Sequence, residues 1–199
     1  MPVIPTKGNL LNIKKSLNLA KLGYSLLDRK RNILIREMMS LIDDAKAIRG
    51  EIEGTYQDAY LALQRANITL GVCENAAKAV PVETGVQVTY RSVMGVEIPH
   101  VSLHPQPVKV YYGFQATNAA LDKAFILFQR VKKLTAALAE IENSVYRLAN
   151  AIKKTQKRAN ALKNIIIPRF EADSKFITDA LEEKEREDFS RLKLIKKNR

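Results

Sequence analysis

One cysteine and no tryptophan occur in the 199 residues, and glycine and proline together contribute only 15. The single thiol, Cys73, cannot close an intrachain disulfide, and one cysteine in a chain of this size fits a reducing compartment. So few turn-forming residues leave a loop-rich fold poorly supplied. No uncharged apolar run approaches the ~18 residues of a membrane span. The opening MPVIPTKGNLLNIKK lacks the apolar core and small-residue cleavage site of a secretory signal. The expected location is cytoplasmic, with no direct membrane insertion.

Catalytic constellations are missing as well. No glycine is followed by lysine, which excludes a Walker-type phosphate loop. His100 and His104 have the spacing of two helical metal ligands, but Pro99 and Pro105 bracket them and argue against a helix. Cys73 has no histidine beside it and falls on an apolar seam, where a small core residue is the ordinary reading. The carboxylate pairs Asp43-Asp44 and Glu182-Glu183 fall outside the seams, on solvated faces. No cofactor, metal site or enzymatic activity is expected of the chain itself.

What is present is positive charge and helix-forming residues. Ala, Glu, Lys, Leu and Arg make up 90 of 199 residues, and the net charge is +12. Acids are absent from residues 1–27 and 143–170, and five bases fall between Arg191 and Arg199. Such zoning favours acidic partners, which could be nucleic acid, an anionic membrane face or an acidic protein surface.

Proline is missing from Thr6 to Val80 and from Val108 to Ile167, so each run reads as one long helix. An alternation of three and four residues runs from Leu10 through Ile13, Leu17, Ala20, Tyr24, Leu27 and Arg31 to Leu34, and on to Ala66, Cys73 and Ala76. A second runs from Ala120 through Ala124, Leu127, Val131, Ile141, Leu148, Thr155 and Ala159 to Ile166. Seams held this long predict helices facing a partner along their length. Beyond Pro168 the register shifts by about one residue, through Phe170, Ile177, Leu181, Leu192 and Ile195, which predicts a kink or stutter at that proline.

The predicted fold is mainly α: a long antiparallel two-helix coiled coil, left-handed by its 3.5-residue period, with a small β-hairpin at the connection. The segments are 1–80 for the first helix, 81–112 for the connection and 113–199 for the second helix. In the connection, Val86, Val88 and Tyr90 alternate with polar residues before a Gly95 turn and Val96-Glu97-Ile98. Pro99 and Pro105 are expected to confine the second strand to an edge or end it. A lone hairpin is marginal in water, so it should lean on the helices or on another protein of an assembly. Gly50 and Gly54 have the spacing of close helix packing, with a local soft point as the other reading.

Four ordered blocks then resemble a known family. They are Pro5-Thr6-Lys7 followed by Leu10-Leu11, Gly23-Tyr24-Ser25-Leu26-Leu27-Asp28-Arg29-Lys30-Arg31, Lys154-Thr155-Gln156-Lys157-Arg158-Ala159-Asn160-Ala161-Leu162 leading to Ile167-Pro168, and Glu185-Arg186-Glu187-Asp188-Phe189-Ser190-Arg191-Leu192-Lys193. Together they resemble the D subunits of the V-type and A-type ATPases, across nearly the whole chain.

The resemblance implies a non-catalytic central rotor shaft that transmits torque between the catalytic hexamer and the ion-translocating membrane ring. The implied partners are the F subunit of the stalk, the catalytic A and regulatory B subunits of the hexamer, and the funnel-like subunit on the ring, with no nucleic acid. By the same resemblance, Thr6, Lys7, Lys14, Lys15, Lys21, Arg191, Lys193, Lys196 and Lys197 would lie at the shaft end inside the hexamer, as a strongly basic tip. The complex would sit at the membrane, with this chain in its soluble sector. Many relatives carry a longer tail than the one that ends soon after Lys197. The alternative function is a basic coiled-coil protein that binds nucleic acid along its charged faces, which explains the charge but not the four blocks.

Overall fold

The computed structural model describes residues 4–103, 109, 111–113 and 117–197, the last without its side chain. His104 and Pro105, and any part they play in a metal site or in ending a strand, lie outside the described residues. The elements are helix α1 (Lys7–Leu70), a short helix α2 (Glu74–Ala79), strands β1 (Val86–Val93) and β2 (Val96–Leu103), helix α3 (Ala119–Ala161), a π-helical turn (Leu162–Ile166) and helix α4 (Ile167–Lys197). The fold is mainly α, with long helices packed in pairs and one antiparallel hairpin, as the seams and the alternating segment predict.

Thr6 starts α1. Its hydroxyl accepts the Asn9 amide at 3.2 Å and its carbonyl accepts that of Leu10 at 3.0 Å, which satisfies donors left open at a helix start. The proline-free run led to the expectation of one helix reaching residue 80. The helix instead ends at Leu70, where Gly71 takes φ +78°. Glycine enters this left-handed region without the Cβ clash that other residues meet, and so commonly closes helices. Asn118 caps α3 through its side-chain oxygen, 3.1 Å from the Leu121 amide.

The chain divides into two compact units, Met1–Ile33 with Ile152–Arg199, and Leu34–Ala151. In the first, partner numbers fall along one helix as they rise along the other. Lys7 meets Glu185 at 3.0 Å, Lys21 meets Glu171 at 2.7 Å, and Arg31 donates to Gln156 at 2.8 Å. The pairing is therefore antiparallel. Its interior holds Ala20, Thr155, Ala159 and Ile177.

The π-helical turn explains the register shift. Pro168 has no N–H for the carbonyl four residues back, at Asn164, and its ring crowds that carbonyl. A π turn takes up one extra residue and relieves both problems. The shift thus lies at Leu162–Ile166, ahead of the proline, and the helix continues beyond it. The extended seam is only partly covered: Ile177 is fully buried, whereas Leu192 and Ile195 are exposed.

In the second unit, Leu34, Ile52, Thr55, Ala59, Ala62 and Ala66 of α1 are buried, as are Leu121, Ala124, Val131, Ile141, Ser144 and Leu148 of α3. A side chain such as Leu34 or Leu148 gains about 1.5–3 kcal/mol from leaving water. The buried hydroxyls of Thr55 and Ser144 donate to the carbonyls of Glu51 and Glu140, each at 2.7 Å, so they cost little. Arg49–Glu142 and Arg130–Glu51, both 2.6 Å, tie the helices from outside. Gly50 and Gly54 do not serve close packing. Both are exposed, and a Cβ on either would meet nothing within 4 Å.

The hairpin belongs to this second unit. β1 and β2 pair antiparallel from Val93↔Val96 to Val86↔Leu103. Met94 and Gly95 form the two-residue turn with φ 52° and 77°, the mirror-image turn that matches strand twist. Pro99 does not end β2, which continues to Leu103. It faces Tyr90 in the register, where its nitrogen points away from β1 and no ladder bond is lost.

Candidate functional site

Two places gather candidate functional side chains, one in each unit. The first is the basic end of the unit that contains both termini. Thr6 is the α1 cap. Lys14 and Lys15 are exposed, and among the described residues neither forms an ion pair. Lys7 and Lys21 are paired with Glu185 and Glu171 of α4. The stretch is free of acid in sequence, yet α4 supplies acids across the helix pair, so its positive field is partly neutralised. These pairs are exposed and each contributes at most about 1 kcal/mol.

The other predicted members follow on α4. Arg191 lies 3.7 Å from Glu187, and the Lys193 ammonium stands 4.7 Å from the Phe189 ring centre, within cation–π range. Lys196 is exposed, and nothing is described of the Lys197 side chain. Because Lys7 meets Glu185, Arg191–Lys197 continue beyond the level of the α1 start. Phe189, Leu192, Leu194 and Ile195 are all exposed there. The result is a helix end with apolar and cationic side chains both facing solvent.

The second place is the seat of the hairpin. Glu140 of α3 accepts the Val101 amide at 2.9 Å through one oxygen and stands 3.0 Å from His100 Nδ1 through the other. Arg147 donates to the Glu97 carbonyl at 3.3 Å and lies over the Tyr90 ring at 5.3 Å. Arg91 reaches Glu37 of α1 at 2.9 Å. These contacts tie both strands to the helices, through His100, Val101 and Glu97 of β2 and through Tyr90 and Arg91 of β1, although β1 is exposed apart from Val93, which is half-buried. The hairpin does lean on the helix pair, as its marginal size requires.

At the base of the hairpin, Lys132 lies 2.6 Å from Glu83, which also accepts the Gly85 amide at 3.0 Å. The Lys132 hydrogen bond, followed by the Gly85 amide, lowers the Glu83 pKa from its ordinary value. Tyr112 donates to Asp122 at 2.8 Å, and burial together with that carboxylate pushes the phenol up to about 12. Each group has a structural partner. His100 is engaged by Glu140, and among the described residues no three His, Cys, Asp or Glu side chains gather as metal ligands.

The sequence pattern did not identify Glu140, Arg147 or Glu37 as hairpin anchors. Acids separated from their bases by tens of residues carry no local signal. Glu171 and Glu185 were within reach of sequence reasoning, because laying the second seam antiparallel on the first brings them near Lys21 and Lys7.

Among the described residues no helix is long and apolar enough to cross a membrane. A family model for the D subunit of ATP synthase matches residues 9–197. The chain is 45% identical over 198 residues to the D subunit of a V-type ATP synthase from Thermotoga neapolitana, covering 98% of each. It is 40% identical over 199 residues to the D subunit of the A-type ATP synthase of Thermococcus kodakarensis, covering 98% of this chain and 93% of the relative. Against the A-type counterpart of Methanopyrus kandleri the identity is 39%, with 98% and 85% covered.

Proposed function

Because the chain belongs to the family of ATP synthase D subunits, we propose that it is the central stalk of a V/A-type rotary ATPase and carries torque between the catalytic hexamer and the membrane ring. The observation that carries this reading is the match over almost the whole chain, which includes both partners of each antiparallel helix pair. A helix pair cross-tied by Arg31–Gln156 in one unit and by Arg49–Glu142 in the other resists twisting better than a single helix.

ATP chemistry then belongs to the hexamer of A and B subunits, and this chain is its non-catalytic rotor. The basic end, with Lys14, Lys15, Arg191, Lys193 and Lys196, faces the hexamer. Its exposed charge meets acidic surfaces there by screened attraction that guides without locking. The F subunit of the stalk and the funnel-like subunit on the ring are the remaining partners, and the chain lies in the peripheral sector.

Purification of the tagged chain from its native cells, with mass spectrometry and an ATPase assay of the eluate, tests this reading. The reading expects the hexamer subunits, a stalk partner and ATP hydrolysis. Recovery of nucleic acid alone, lost as salt rises, would overturn it.

A further inference from the structure

The two edges of the hairpin are treated differently. The register closes at Val93↔Val96 around a two-residue turn, so the pairs that exchange ladder bonds are Val93↔Val96, Arg91↔Ile98, Thr89↔His100 and Gln87↔Ser102. The backbone groups of the alternate residues point out of the sheet. On β2 these are Glu97, Pro99, Val101 and Leu103, and that edge is closed at three points. Arg147 donates to the Glu97 carbonyl, Pro99 has no N–H, and Glu140 accepts the Val101 amide. On β1 the corresponding residues are Val86, Val88, Tyr90 and Ser92. Among the described residues no hydrogen bond closes their outward N–H and C=O groups.

Proteins ordinarily blunt such an edge with lysine, proline or a bulge. β1 has none of these in Val-Gln-Val-Thr-Tyr-Arg-Ser-Val, and its one charged residue, Arg91, is on the face opposite Val86, Val88 and Tyr90 and is paired with Glu37. Val86, Val88 and Tyr90 are each about half exposed or more, and all point to the same face. That face continues into a groove of about 630 Å³ lined mainly by apolar side chains, including Val86, Val101, Leu103, Tyr60 and Phe128. An open row of backbone donors and acceptors beside an apolar groove matches one ligand chemistry, an extended strand with apolar side chains at alternate positions.

We propose that β1, from Val86 to Ser92, is a strand-addition site for another protein of the ATPase, which extends the hairpin to three strands and sets apolar side chains over the groove. This rests on the stalk reading and names a surface for one of its partners. The one charge on β1 and those lining the groove are already matched, in Arg91–Glu37 and Lys132–Glu83, so the incoming strand needs no charge of its own. A second copy of this chain is disfavoured as the occupant because each copy carries +12.

Amide hydrogen exchange tests the proposal, comparing the isolated chain with the same chain in the ATPase purified from its native cells. Val86, Val88, Tyr90 and Ser92 are expected to exchange readily when the chain is alone and to slow at least about tenfold in the complex. Val88→Pro removes an outward donor without touching a ladder bond, and is expected to weaken recovery of one partner protein at least about tenfold, while Val88→Thr behaves as wild type. A chain that assembles with these amides still open, or a Val88→Pro chain that assembles normally, overturns strand addition and leaves the stalk reading intact. Failure of the unaltered chain to assemble with any ATPase component overturns both. Protection that rises with the concentration of the isolated chain overturns the proposal in favour of self-pairing.

Discussion

Arg31 and Gln156 meet across the helix pair at 2.8 Å, with Arg31 standing at a seam position that the apolar period assigns to a hydrophobic residue. Asp28, one turn earlier, holds the same guanidinium at 2.6 Å. The charge is thus satisfied from both helices. Replacing it with leucine removes its desolvation cost along with its bonds, and the Asp28 carboxylate left behind is about a third exposed and can turn to water. Arg31→Leu should therefore change stability in urea by less than about 1 kcal/mol, and Gln156→Ala should cost about 1 kcal/mol. A loss of several kcal/mol in Arg31→Leu would show that the polar tie holds the pair together.

Ile177 and Leu192 lie on one helix and one predicted seam, yet Ile177 is fully buried and Leu192 is 64% exposed. Ile177→Ala should cost about 2–5 kcal/mol in denaturant unfolding of the isolated chain. Leu192→Ala should stay within about 0.5 kcal/mol. Equal costs would mean that the end of α4 is covered after all.

Gly50 and Gly54 sit in the interior of α1 with open space where a Cβ would go. Each alanine substitution should stabilise by about 0.5–1 kcal/mol, because alanine loses less backbone freedom in a helix. A higher thermal midpoint for the double variant checks this, and a lower one would point to a close neighbour.

Tyr112 supplies a pH dependence of known sign. Its pKa is raised from 10 to about 12, so between those values the folded state binds more proton than the unfolded state. The stabilisation is fully present below pH 10 and is lost as pH rises toward about 12. Tyr112→Phe should flatten that part of the stability curve in urea titrations between about pH 9 and 12. An unchanged slope would remove Tyr112 as its source.

Much of this was legible along the chain. From Leu10 to Ala66, and from Ala124 to Ile166, no seam position is exposed, because a face repeated every three or four residues must be covered to be worth keeping. The hairpin and its Gly95 turn were visible for a similar reason. The end of α1 was missed because Gly71 disturbs the pattern by one residue only. Leu192 and Ile195 were misplaced because a period specifies a face and says nothing of whether a partner helix reaches that far. The hairpin anchors Glu140 and Arg147 act across long sequence separations outside the seams, where spacing rules have no purchase, whereas Glu171 and Glu185 follow from the antiparallel seams themselves.

The central claim is that this chain turns within the hexamer. In the purified ATPase, with Cys73→Ser to remove the native thiol, the cysteine of a Lys15→Cys variant would be joined to the hexamer by a cleavable cross-linker, and ATP hydrolysis followed before and after cleavage. Rotation predicts that turnover falls in proportion to the fraction cross-linked and returns when the link is cut. Undiminished turnover with the chain covalently fixed to the hexamer would contradict it.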